Sequence, residues 1–316
     1  MVGPLLAIWL FYSLYQQVKE QPDLDKSLAL IYQLPFGSDA WKFWLTILLV
    51  FVNWGIEARK WQLLVAAIQP MRFFTAFKSV LCGVTFSLNT PNRIGEYAGR
   101  VLFVQDGQRL KAISLSVVGS MAQLIITMLM GCIGLAWLLF TKRDINGLMG
   151  LTPFWLNVFL YSSIFITAVF TLLFFRLDWM VRLLVKLPYG DRLAKYIQVL
   201  ETVDAKILLR LLFLSLWRYI IFVLQYVLML QLMQVEPQYW VSFWLVAVMF
   251  WILAIIPSIA LAELGIRGTI ANALFAYSGN TVGILAVTFG IWFANLFIPA
   301  LAGSLLILGI KTKKDK

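Results

Sequence analysis

The chain has 316 residues, 61% of them hydrophobic and only 13% charged, with a formal net charge of +11. No stretch is long and polar enough to form a separate soluble domain, and the absence of histidine excludes His-based catalysis and a His-ligated metal. The surplus basic residues lie beside apolar segments, where they fix topology and meet anionic headgroups, so they imply no nucleic-acid partner.

Several apolar runs exceed the roughly 20 residues needed to cross a hydrocarbon core about 30 Å thick, which predicts an all-α, polytopic integral membrane protein. In chain order, full or partial spans fall at 3–18, 41–65, 74–90, 93–105, 112–140, 151–175, 207–233, 239–256, 261–277 and 281–310. The first lacks a basic leader region and a small-residue cleavage site, and reads as a retained helix. Cys82 and Cys132 have no CxxC spacing and read as small core residues. Residues 191–206 place Leu193, Tyr196, Ile197, Leu200 and Val203 at helical spacing, an amphipathic surface helix with Arg192 and Lys195 near headgroups.

Flanking charge sets the orientation. The segment from Arg176 to Arg210 carries seven basic residues and the tail KTKKDK four, whereas MQVEPQ and YSGN carry none, so the first two are expected inside and the last two outside. Lys142 and Arg143 fall on the outside under this scheme and count against it. Both termini are expected on the cytoplasmic side. The pair 74–90 and 93–105 must then enter and leave on the cytoplasmic face, and the pair 239–256 and 261–277 on the outer face. Each reads as a re-entrant, broken helical hairpin.

The two hairpins share a skeleton. TPNRIGEYAGR, residues 90–100, sets Pro91, Glu96 and Arg100 in the order that IIPSIALAELGIRG, residues 255–268, repeats with Pro257, Glu263 and Arg267. Glu lies four residues before Arg in both, which puts the two on one helical face in the favourable order for a pair. Glycines flank the charges, Gly95 and Gly99 in the first and Gly265 and Gly268 in the second. A helix broken by proline and glycine exposes backbone groups that lipid cannot satisfy, so such breaks must line an enclosed or wet cavity. Two of them, half a chain apart and inverted, point to a midplane site between transporter repeats. The expected organisation is one membrane domain, 1–316, with repeat one at about 41–140 and repeat two at about 207–310. A span at 151–175 and an amphipathic cytoplasmic connector at 178–206 join them.

The runs ARKWQLLV (58–65), AFKSVLCGVTFSLNTPNRIGEYAGR (76–100) and PSIALAELGIRG (257–268) resemble the membrane domain of bacterial lysylphosphatidylglycerol synthases, the flippase-like part of the multiple peptide resistance factor. That resemblance covers nearly the whole chain and implies a lipid-handling fold of the bacterial inner membrane with an inverted repeat. Here Pro91-Asn92-Arg93 replaces the Pro-Gly-Arg often found in the family, and Pro257-Ser258-Ile259 lacks the family's glycines. The soluble aminoacyltransferase domain is absent from the sequence, so synthase activity is not implied.

The function expected from these readings is transport of an anionic phospholipid or isoprenoid-phosphate lipid, with Arg93, Glu96, Arg100, Arg218, Glu263 and Arg267 contacting substrate. Arg218 sits within the 207–233 span, and its guanidinium is expected to meet a phosphate or to snorkel toward the surface. Asn89, Pro91, Ser116, Ser120, Gln123, Pro257 and Gln225 are candidate cavity-lining residues; Ser116, Ser120, Gln123 and Thr127 share one helical face, which serves equally for close helix packing. Asn53 and Glu57 also share a face, but Glu57 stands beside Arg59 and Lys60 and reads as interfacial. No cofactor or metal motif is present. A membrane-embedded enzyme with Glu96 or Glu263 as base is the second reading, although no nucleophile and base pair accompanies them. A lipid-supplying subunit of a separate synthase is the third, and homo-oligomer formation is open.

Overall fold

A computed structural model describes residues 24–88, 90, 93–141, 152–186, 190–236, 238–256 and 260–314. The expected span at 3–18, the basic pair Lys142 and Arg143, and the candidate residues Asn89, Pro91 and Pro257 lie outside this set. Among these residues the only regular structure is helical, with no strand.

The helices run α1 (Leu24–Gln33), α2 (Ala40–Val65), α3 (Phe73–Ser87), α4 (Gly95–Arg100), α5 (Arg109–Phe140), α6 (Pro153–Phe175), α7 (Leu177–Val185), α8 (Gly190–Ile197), α9 (Ala205–Leu232), α10 (Tyr239–Ile255), α11 (Ala260–Phe275), α12 (Thr281–Trp292) and α13 (Ile298–Lys314). Single 3-10 turns occupy Val101–Phe103, Asp106–Gln108, Gln198–Thr202 and Ala276–Ser278. Four helical stretches are long and apolar enough to cross a membrane: Asp106–Phe140, Pro153–Phe175, Ala205–Leu232 and Thr281–Gly309. Their outward side chains fit lipid rather than water, as with Tyr161 and Phe165 of α6 and Leu305 and Leu308 of α13, all more than 60% exposed. By contrast α3, with 15 residues, and α10, with 17, rise about 22 and 25 Å at 1.5 Å per residue, short of a full crossing.

Three elements differ from the sequence expectation. Helix α1 forms between the expected spans 3–18 and 41–65, where apolar run length predicts no helix because charges interrupt the apolar face of LDKSLALIYQ. The connector is α7, α8 and a 3-10 turn at Gln198–Thr202 rather than one surface helix from 191 to 206. The last span holds a π turn at Phe293–Phe297. Pro299 accounts for it, because its ring crowds the carbonyl four residues back and it has no N–H to give that carbonyl.

The chain divides into two compact units. One comprises Asn53–Ile126, Ile164–Tyr219 and Pro299–Lys316; it contains the first charged break, α3–α4. The other comprises Met1–Val52, Thr127–Ser163 and Ile220–Ile298, and contains the second, α10–α11.

In the first unit, α3 and α4 pack at backbone contact. A Cβ on Gly99 would collide with the Cys82 carbonyl and one on Gly95 with the Phe86 carbonyl, so the G-x-x-x-G spacing of GEYAG is what lets the hairpin close. Helix α13 approaches α3 in the same way, Gly303 lying against the Leu81 carbonyl while Thr85 Oγ1 donates to the Ala300 carbonyl at 2.7 Å. In the second unit, Gly131 and Gly134 of α5 admit Trp251 and Trp244 of α10, and Trp137 stacks on Trp244 with ring centroids 6.3 Å apart. Cys82 and Cys132 are both buried free thiols.

Candidate functional site: two buried charge clusters

The break between α3 and α4 is built from local hydrogen bonds. Thr90 Oγ1 accepts the Gly95 N–H at 2.8 Å and donates to the Phe86 carbonyl at 3.3 Å, which seats the start of α4 on the end of α3. Arg93 adopts a φ of 59°, the left-handed region that costs a non-glycine residue about 1 to 2 kcal/mol. At the far end, Ser79 Oγ donates to the Arg100 carbonyl at 2.7 Å, so the carbonyl at the end of α4 is satisfied by α3.

Arg100 projects from this hairpin into a buried cluster whose hub is Glu57 of α2. One Glu57 oxygen accepts from Arg100 Nη2 at 2.6 Å; the other lies 3.2 Å from Lys60 Nζ and 3.0 Å from Arg218 Nη1. Arg100 also donates to Glu96, its partner one turn earlier. Arg218 Nε donates to Asn53 Oδ1 at 3.0 Å. The side chains of Glu57, Lys60 and Arg100 are 5% exposed or less, that of Arg218 12% and that of Glu96 20%, so any approach to the cluster comes past Glu96 and Arg218. Two tryptophans of α2 wall it, Arg100 lying 5.7 Å from the centre of the Trp61 ring and Arg218 5.3 Å from that of Trp54.

Two expectations change here. Glu57 is not interfacial: Arg59 turns away to bond Gln62 at 2.5 Å, while Lys60 turns inward with Glu57, because Asn53, Glu57 and Lys60 recur at four and three residues along one face. Arg218 does not snorkel, since the buried carboxylate of Glu57 holds it at 3.0 Å. The signal for Glu57 was that polar stripe, flanked by Trp54 and Trp61.

The second break carries a smaller cluster. Glu263 Oε1 accepts from Arg267 Nη2 at 2.5 Å, and Arg267 Nη1 donates to Tyr226 Oη of α9 at 3.1 Å. The guanidinium lies 5.8 Å from the centre of the Phe250 ring, which itself meets Tyr226 edge-on at 5.4 Å. Arg267 is 8% exposed. In both clusters the arginine Nε is buried and has no hydrogen-bond partner among the described residues.

The succession of elements is also shared. A long helix, a short apolar helix, a break, and a helix carrying Glu and Arg four apart occur as α2–α3–α4 and as α9–α10–α11. The long helix supplies each arginine's distant partner, 43 residues before Arg100 and 41 before Arg267.

The other expected residues separate. Ser120 accepts a hydrogen bond from Tyr97 Oη of α4 at 3.1 Å, and Gln123 Nε2 reaches the Ser215 carbonyl of α9 at 3.5 Å, so these two residues of the α5 stripe bridge to neighbouring helices. Ser116 is buried and returns its hydroxyl to the Ala112 carbonyl. In the second unit Gln225 is fully buried, bonding the Thr46 carbonyl at 3.0 Å. Arg93 is half-buried at the break itself.

An all-helical chain with four crossing-length apolar helices belongs to the class of membrane-embedded proteins. No family model, curated protein or solved structure matches it, so its own geometry carries the functional reading.

Proposed function

We propose that this protein is a lipid transporter of the flippase-like kind, built as an inverted-topology repeat whose two broken hairpins re-enter the membrane from opposite faces. One observation carries the reading: each break holds a Glu/Arg pair buried in protein, backed by a partner from the preceding long helix. Buried intramembrane charge is expensive, and its usual role is to mark a substrate path. The lengths of α3 and α10, too short to cross, support the re-entrant arrangement. The resemblance to the lysylphosphatidylglycerol synthase membrane domain agrees with it.

The substrate is an anionic lipid, a phospholipid or an isoprenoid phosphate. Among the described residues the first cluster sets Lys60, Arg100 and Arg218 against Glu57 and Glu96, which leaves one positive charge in excess. A phosphate entering beside Arg218 and Glu96 balances it, and the unfilled Nε donors of Arg100 and Arg267 are the groups a phosphate oxygen accepts from. Glu57 and Glu263 hold the guanidinium planes in place between substrates.

Reconstitution into liposomes tests this. With a fluorescent anionic lipid in the inner leaflet, purified protein is expected to accelerate exposure to an external quencher above the rate of empty vesicles. No acceleration with any phosphate-headed lipid overturns the proposal.

A further inference from the structure

Away from the charged break, the first unit contains a second cationic cavity that the transport reading does not use. Its volume is about 370 Å³, within the range of small-ligand sites, and it is lined by Ile68 after α2, Gln108 and Lys111 at the start of α5, and Lys195, Gln198 and Thr202 of the connector. Among the described side chains no carboxylate lines it and no ion pair engages Lys111 or Lys195. Gln108 Oε1 is buried there without a hydrogen-bond partner. Lys111 and the exposed Lys195, whose ammonium also lies 5.1 Å from the centre of the Tyr196 ring, line one cavity with two amides and a hydroxyl, a set of donors suited to a multiply charged oxyanion, while the lone amide acceptor suits a hydroxyl beside it.

The setting is that of a headgroup layer. Helix α7 buries Leu177 and Val181 and leaves Trp179 exposed, with Arg176 5.4 Å from the centre of its ring, the amphipathic pattern of an interfacial segment. We infer that this cavity is a binding site for a phosphate monoester group, supplied by a phosphate-headed lipid of the adjoining leaflet or by a soluble phosphate. Occupancy fastens three separate segments together. One of them is already coupled to the charged hairpin, since Gln69, next to Ile68, donates to the Phe103 carbonyl at 3.1 Å and accepts the Gln105 N–H at 3.1 Å. The site stands whether or not the protein moves lipid.

The test uses the full chain in detergent micelles, with dihexanoyl phosphatidic acid and inorganic phosphate as separate probes. Lysine acylation read by mass spectrometry is expected to fall at Lys111 and Lys195 when phosphatidic acid is added, and to stay constant at Lys206 on the exposed start of α9. In native mass spectra, K111Q/K195Q is expected to lose one phosphatidic acid adduct, its occupancy falling about tenfold, while any adduct at the Glu57 cluster persists; K206Q retains the full set. Protection of the same two lysines by inorganic phosphate alone assigns a soluble source to the same site. Unchanged labelling of Lys111 and Lys195 with both probes, or adducts retained in full by K111Q/K195Q, overturns the inference; the labelling arm needs no variant to fold.

Discussion

The two charged breaks share a frame and differ in what fills it. At the first, Arg100 shares Glu57 with Lys60 and Arg218 and holds Glu96 besides, so five ionised groups meet in a volume walled by Trp54 and Trp61. At the second, Arg267 meets one carboxylate, Glu263, and the place that Glu57 takes in the first belongs to a neutral phenol, Tyr226. Among the described residues the first cluster thus carries one positive charge in excess and the Glu263/Arg267 pair is balanced. In a low-dielectric interior that difference makes the first cluster the stronger attractor of an anion, while the second offers a single guanidinium already paired with its own carboxylate.

Five substitutions break or sharpen the comparison. The largest effect is expected for Glu57→Gln, which strips three cations of their common carboxylate; breaking a buried ion pair costs about 3 to 5 kcal/mol, and Glu263→Gln, with one cation released, is expected to lose less. Thermal unfolding in detergent, read side by side for the two variants, checks the order, and equal losses contradict the hub role of Glu57. Tyr226→Phe removes a hydrogen bond to a charged group, worth about 1.5 to 3 kcal/mol, and is expected to lower the unfolding midpoint while leaving the first cluster intact. Gly99→Ala forces a methyl into the Cys82 carbonyl and is expected to destabilise by about 1 to 3 kcal/mol, with faster proteolysis between α3 and α4 as its local sign. Ser120→Ala deletes the contact with Tyr97 and the hydroxyl's own bond to the Ser116 carbonyl, and is expected to cost about 0.5 to 1.5 kcal/mol; a transport defect larger than its stability change would place the α5 stripe on the substrate path.

What the sequence made legible was local. Glu96 with Arg100 and Glu263 with Arg267 are four residues apart on one helix, and helical geometry alone brings them together. The long apolar helices and the short α3 and α10 follow from run lengths in the same way. Glu57 was misplaced because its charged neighbours resemble a membrane boundary; only the pairing of α2 with a hairpin 43 residues onward shows that one neighbour, Lys60, faces inward. Tyr226 was overlooked for a related reason, since a tyrosine in an apolar span reads as packing until Arg267, 41 residues later, is seen against its hydroxyl. The π turn before Pro299 and helix α1 escape a reading by apolar run length, the first because one proline sits inside an unbroken apolar run and the second because charges interrupt its apolar face.

The central claim, that the surplus cation of the first cluster draws an anionic headgroup, is tested most directly by the ratio of translocation rates for an anionic and a zwitterionic lipid in the same liposomes. The account predicts a ratio well above one for the native protein, and a ratio near one for Arg218→Gln, in which Lys60 and Arg100 still hold Glu57 but the excess charge is gone. A native ratio of one, or a preference that survives Arg218→Gln unchanged, contradicts it.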